Sequence, residues 1–233
     1  PMGMIYGYIY EGTYKYDDFD KSGSSYTLKG NIPHYVSESN TQPGMPKYKD
    51  LNGDGIIDTN DRTMIGRGLP IHTGGFTNNF EYKGFDLSVF FQWSYGNDIL
   101  NANRMVFENP SAKQNTNMFA AYTNRWTPEN PTSNIPRARA QGSNEYSSLY
   151  VEDGSFLKLK NISLGYNFEA KTLKPLHISS ARVYLSAENI ATISGYSGSD
   201  PEVSTRNSPL TPGFDWSPYP RAFSMSLGLN VTF

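Results

Sequence analysis

The sequence contains no cysteine, so disulfide frameworks and thiolate metal sites have nothing to build on. Charge of either sign is also sparse and nearly balanced, with 20 Lys and Arg against 22 Asp and Glu in 233 residues. A phosphate-binding surface shows as a Lys/Arg excess, so nucleic acid is not an expected partner. The only histidines are His34, His72 and His177, whose spacing matches no metal motif. No apolar run approaches the roughly 18 residues of a transmembrane helix, and the mean hydropathy is −0.56. On these averages the chain reads as a soluble domain. What the chain does have is aromatic rings, 17 Tyr and 13 Phe. So many rings in a sequence that averages polar call for a fold that separates the two.

Strict alternation supplies the separation. From Phe223 to Phe233 every odd position is apolar (Phe223, Met225, Leu227, Leu229, Val231, Phe233) and every even one small or polar. Successive side chains of a strand point to opposite faces, so this segment has one greasy face and one uncharged polar face. The run Phe85 to Tyr95 repeats the pattern, broken only by Phe90. Weaker copies lie at Thr73 to Tyr82, Phe156 to Phe168, Ala181 to Ile190 and, as a first strand, Ile5 to Tyr14. The result is about six strands of roughly 10 to 13 residues, longer than the common strand. No amphipathic helix longer than a few turns is evident.

The connections are unequal. Lys83-Gly84 is a tight hairpin signal, and the link around Thr172 to Ser179 is also short. Lys15 to Ile71, Gly96 to Ser155 and Ala191 to Arg221 are very long. Long two-faced strands with short turns at one end and long loops at the other describe an antiparallel transmembrane β-barrel segment with long extracellular loops. A β-sandwich also alternates, and stays open as the alternative; its strands are usually shorter and its outer faces richer in Lys and Glu than the Ser, Gly, Asn and Thr found here. About six strands cannot close a barrel, whose smallest bacterial examples have eight, and an open sheet in lipid leaves two edges unpaired. Pro1-Met2-Gly3-Met4 shows no export signal. The chain is therefore expected to be a piece of a larger protein.

One local motif carries recognisable chemistry. In Asp50-Leu-Asn52-Gly-Asp54-Gly55-Ile56-Ile57-Asp58-Thr-Asn60-Asp61, positions 1, 3, 5 and 9 of a twelve-residue calcium loop are Asp50, Asn52, Asp54 and Asp58. Gly55 is the sharp-turn glycine, Ile56 offers a carbonyl, and Asp61 stands at position 12 with a shorter arm than the usual Glu. The flanks do not look like paired helices, so the expectation is a structural calcium clamp. Its alternative is an ion-free turn held by Asx hydrogen bonds. The long loops combine rings with amides and Arg at Tyr122, Arg125, Trp126, Trp216 and Tyr219, side chains that a sugar or peptide site would use and that would equally pack the loops together. Trp93 and Tyr95 suit an aromatic girdle at the membrane interface. No nucleophile stands beside a base, and catalysis is not expected.

Several longer motifs, in order, resemble the SusC/RagA class of TonB-dependent outer-membrane transporters. They are Tyr48 to Arg62 around the acidic loop, Phe85 to Gln92, Val151 to Tyr166, Ala187-Glu-Asn189, Tyr219-Pro-Arg221 and the terminal Phe233. The likeness covers nearly the whole chain and corresponds to the C-terminal part of such a barrel. It implies a barrel of about 22 strands with a plug, nutrient import energised by the TonB complex, and a SusD-like surface lipoprotein that captures glycans or peptides. Phe233 would then be the barrel-assembly signal. Plug, TonB box and signal peptide are not in these residues. A secreted calcium-binding β-sandwich that binds glycans is the main alternative, and a surface glycan hydrolase a second.

Overall fold

The computed structural model describes residues 3–35, 37–109, 117–138, 145–202 and 211–233. Its residues gather into two compact units. One unit takes Leu69–Asn97, Asp153–Val203 and Tyr219–Phe233, and here the alternating segments become one antiparallel sheet. Its strands are β1 (His72–Tyr82), β2 (Phe85–Tyr95), β3 (Phe156–Asn167), β4 (Ser180–Ser194) and β5 (Ser224–Thr232), each paired with the next in sequence. The hairpin between β1 and β2 turns on Lys83 and Gly84 with φ of 45° and 87°. Two left-handed residues in succession match the twist of the strands they join, as the sequence predicts.

Register sorts the side chains. Leu87, Leu164, Leu185 and Leu227 lie opposite one another in a row across four strands, and Val89, Ile162, Ala187 and Met225 form the next row. Leu164, Leu185 and Leu227 are 46%, 42% and 77% exposed. A sandwich would bury these central leucines under a second sheet, whereas among the described residues they stay exposed. The face is the lipid-facing side of a barrel wall.

The opposite face is polar and built on glycine. Arg182 reaches Asp86 through Nε at 3.0 Å and Nη2 at 2.5 Å, and Asn167 donates to the same carboxylate at 2.9 Å. The pair joins β4 to β2 across β3, and a Cβ at Gly165 would strike both Arg182 and Asp86. Similarly, Tyr184 lies over Gly228 and Phe90 over Gly75. Phe90, the residue that breaks the alternation, thus fills the space that a glycine leaves on the neighbouring strand.

The other unit takes Pro1–Gly68, Asp98–Glu152 and Ser204–Pro218, and it corrects one expectation. Ile5 to Tyr14 is not a long wall strand. Met4–Gly7 pairs with Thr63–Arg67, and Tyr10–Thr13 pairs with Pro46–Tyr48. Between the two, Tyr8 turns inward to 2% exposure and bridges Ser147, while Gly7 sits where any Cβ would collide with the Tyr146 carbonyl and Ile65. Three small cores form: Tyr14, Phe19, Leu28 and Met45; Tyr8, Tyr48 and Ile57; and Leu100, Ala102, Met105 and Tyr150. Many of the tyrosines are therefore loop core.

Gly165→Ala is expected to push the Asp86–Arg182 pair apart and cost about 1–3 kcal/mol, the usual range for overpacking. The measurement is the temperature at which the full-length receptor loses its folded gel mobility, with Ser163→Ala as control. An unchanged transition would show that the pair has room to move.

Candidate functional site

The acidic loop keeps its spacing and turns its oxygens inward. Asp61 is fully buried, and its carboxylate accepts from the backbone N–H of Leu51 at 2.8 Å, Asn52 at 3.4 Å and Asp58 at 2.8 Å. Burial alone would raise its pKa, but these three donors outweigh that and hold it below the usual carboxylate range. Asp50 accepts from Gly53 and Gly55, Asn52 from Asp54, Asp54 from Ile56 and Asp58 from Asn60, at 2.6–2.9 Å. Gly53 and Gly55 take φ of 80° and 83°, a left-handed conformation that glycine adopts without strain. Among the described residues no three acidic or imidazole side chains converge as metal ligands. In this conformation the loop is a ladder of Asx turns. Asp61 ties together the loop's two ends.

The ring-bearing residues divide. Tyr122 and Trp126 are buried at 4% and 5%. Trp126 packs against Tyr16 with centroids 5.5 Å apart, and a Cβ at Gly44 would enter its ring. Arg125 lies over Tyr122 at 5.5 Å. Trp126 thus holds loops together. Trp216 and Tyr219 are exposed. Trp216 is flanked by Asp215 and Ser217, both hydrogen-bonded to Asn103, and Ser217 has φ of 49°. Phe233 follows β5 directly and is exposed.

The most concentrated electrostatics lie where sequence reasoning did not look. Lys158 of β3, 2% exposed, donates to Asp200 Oδ1 at 3.2 Å and Glu202 Oε2 at 2.6 Å. Lys160 donates to Glu202 Oε2 at 2.9 Å, and Arg221 Nε lies 3.4 Å from the same oxygen. Asp200 also accepts from the backbone N–H of Glu202 at 3.0 Å and Arg221 at 3.1 Å. Burial pushes both carboxyls up, and the donors and lysine charges more than reverse it, leaving both below their ordinary values. Removing one partner of such a buried pair typically costs about 3–5 kcal/mol, because the other charge is stranded. The sequence signal was Lys158-Leu-Lys160 within a strand whose other polar-face residues are mostly uncharged. Its partners lie 42 residues away in a loop.

No helix among the described residues is long and apolar enough to cross a membrane, which leaves crossing by strands untouched. No family model matches the chain. Among curated proteins it is 35% identical, over its full length, to TonB-dependent receptor P3 of Formosa agariphila, of which it covers 22%. It is 30% identical, over 85% of its length, to TonB-dependent receptor SusC of Bacteroides thetaiotaomicron, of which it covers 18%. The chain thus spans a quarter or less of the curated relatives it matches. Among solved structures, the RagAB peptide transporter superposes with a TM-score of 0.73 at 23% identity, over 99% of this chain and 23% of that one. At that identity the likeness establishes the fold. Taken with the one-sided, uncovered sheet, these similarities mean that the chain belongs to the SusC/RagA-like TonB-dependent receptors, as a segment of their outer-membrane β-barrel.

Proposed function

We propose that the chain forms the C-terminal wall strands and several outer loops of a nutrient importer. In this reading a SusD-like surface lipoprotein delivers an oligosaccharide or peptide to the barrel. The TonB complex, acting through the plug and the rest of the receptor, then drives its passage. The observation that carries the reading is similarity across the chain to receptors of this class, SusC among them. The sheet supports it with a lipid-facing side at Leu164, Leu185 and Leu227 and an inward side rich in Ser, Asn and Gly. Deleting the receptor gene should abolish uptake of one class of oligosaccharide or peptide, and a tagged full-length receptor should copurify with a surface lipoprotein. Unchanged uptake of every tested nutrient, or turnover of an oligosaccharide by the purified receptor, would defeat the import reading.

Phe233 closes the alternating pattern and is proposed as the signal read by the barrel-assembly machinery. Its deletion is expected to lower the amount of receptor in the outer membrane, measured on fractionated membranes. Wild-type amounts would remove that role.

Calcium in the loop Asp50 to Asp61 is a proposal supported by spacing. The side chains of Asp50, Asn52, Asp54, Asp58 and Asp61 and the Ile56 carbonyl would hold it, once some of those oxygens turned away from the loop backbone. Its effect would be to stiffen the loop. Asp54→Ala should then raise protease cleavage within the loop only when calcium is present, with chelator abolishing the difference; a chelator-independent pattern assigns the loop to its own hydrogen bonds.

The tie made by Asp61 can be tested by pH. A carboxyl whose pKa is lowered in the folded state stabilises fully above its unfolded value, about 4, and loses that contribution as pH falls through the folded value. Cleavage of the loop should therefore rise with acid below that point in the wild type. Asp61→Asn should be cleaved fast at every pH; a wild-type acid response in that variant would take the tie away from Asp61.

A further inference from the structure

Neither the import reading nor the calcium proposal accounts for a polar side chain on the lipid-facing side of the sheet. Asn78 of β1 lies opposite Val89 of β2, so it heads the apolar row that runs on through Ile162, Ala187 and Met225. Phe76 and Phe80, two residues to either side, share its face. They lie opposite Phe91 and Leu87. Asn78 is exposed.

Aromatic margins fix its depth. At one end of the sheet His72 stacks on Tyr95 with ring centroids 5.1 Å apart and accepts at Nδ1 from Trp93 Nε1 at 3.1 Å. At the other, Phe85, Tyr166 and Phe168 pack in series at 4.7 and 5.1 Å, with Tyr82 paired to Phe85. At about 3.3 Å per residue, Asn78 stands about 20 Å from His72 and about 13 Å from Tyr82 along the strand. It therefore lies inside the apolar band between the two girdles. Water is absent there, and an unpaired amide is costly.

The neighbours on the described side cannot pair it. Val89 stands directly opposite, Leu87 and Phe91 diagonally, and Phe76 and Phe80 along the strand; none has a polar side-chain atom. One direction remains within the wall. β1 is the last strand of the described sheet and bonds to β2 alone. The backbone N–H and C=O groups of its other edge must also be paired in lipid, and a strand bonded there sets a side chain about 4.5–5.5 Å from Asn78. The backbone thus brings a neighbour to Asn78 without any further association.

We propose that Asn78 pairs with an amide or hydroxyl side chain on the wall strand of the receptor that bonds the free edge of β1, forming a polar rung inside the hydrocarbon band. The rung sets register. β1 carries Gly74 and Gly75, and a glycine-rich strand specifies its pairing weakly. A slip of two residues would keep every apolar residue on the lipid side, yet it would set Asn78 against a different partner. The proposal concerns the wall alone and holds whichever nutrient passes and whether or not calcium binds the acidic loop.

The test uses the full-length receptor in detergent micelles. This chain has no cysteine, and any elsewhere in the receptor are first replaced. Asn78→Cys is combined in turn with single cysteines along the strand neighbouring β1, and the disulfides are mapped by mass. The position that bonds fastest should carry an amide or hydroxyl in the native receptor; an apolar residue there would overturn the proposal. Stability supplies a sign. The temperature at which folded gel mobility is lost should be lower for Asn78→Leu than for the wild type, because the partner is left unpaired. A side chain facing bare lipid would give the reverse, so an Asn78→Leu transition at or above the wild type would overturn the pairing. If that variant fails to assemble, the disulfide map decides. A disulfide between two receptors carrying Asn78→Cys alone would give Asn78 to a second copy, and the proposal would fall.

Discussion

Backbone pairing in a medium without water sets the terms for this chain. Inside the hydrocarbon region an unsatisfied N–H or C=O costs several kcal/mol, so a strand can cross only as a member of a fully bonded sheet. Length follows from that requirement. The five wall strands run for 9 to 15 residues, enough to span a bilayer at a tilt. So does the strict period of two, since a register slip of one residue would turn a whole apolar row into the lumen and a polar row into lipid. The rows headed by Leu87 and Val89 hold their places across four strands because each member has one admissible side.

The polar face obeys a different economy of space. On a concave inner wall large side chains need somewhere to lie, and glycines on adjacent strands provide it: Gly75 under Phe90, Gly165 under the Asp86–Arg182 pair, Gly228 under Tyr184. These glycines matter for what lies over them. They also explain how a chain with so little charge keeps ions in the wall, since each charged group is placed where a partner on another strand or a returning loop can reach it.

Much of this was legible in the sequence, because alternation is a local signal. The segments Thr73 to Tyr82, Phe85 to Tyr95, Phe156 to Phe168, Ala181 to Ile190 and Phe223 to Phe233 each contain their own evidence, and so does the Lys83-Gly84 turn. Ile5 to Tyr14 misled for the same reason. Its alternation was real, but the side chains it exposes meet loop partners: Tyr8 is claimed by Tyr48 and Tyr35 at centroid distances of 5.2 and 5.7 Å, and Gly7 by a backbone approach from residue 146. Neither partner can be found by reading forward along the strand. The acidic loop was read correctly in its spacing, yet spacing fixes only which residues have oxygens. It does not say whether those oxygens point to a central ion or to the N–H groups of the same turn. Asp61 shows why: at position 12 of the calcium spacing, its two carboxylate oxygens serve three backbone donors of the same loop.

The ionic assembly at Lys158 was the part least open to sequence reading, and the reason is topological. A lysine in a strand of mostly uncharged polar-face residues is conspicuous, but its meaning depends on what returns to it. Asp200 and Glu202 arrive from a connection whose length gives no hint of where it lands. The bulge at Lys160 is equally invisible, since it requires a compensating irregularity in β4, where the register passes over Asn189 and Ile190 and Asn189 adopts φ of 53°. Asn tolerates that conformation better than most residues. Lys158 and Lys160, two residues apart, share a face in any strand; the paired irregularity instead shifts the alternation, so that Leu157 and Leu159 before it and Ile162 and Leu164 after it keep to the lipid side. Burial distinguishes this contact from a chance encounter of surface charges: Lys158 is almost fully enclosed and meets two carboxylates, one of which Lys160 also reaches.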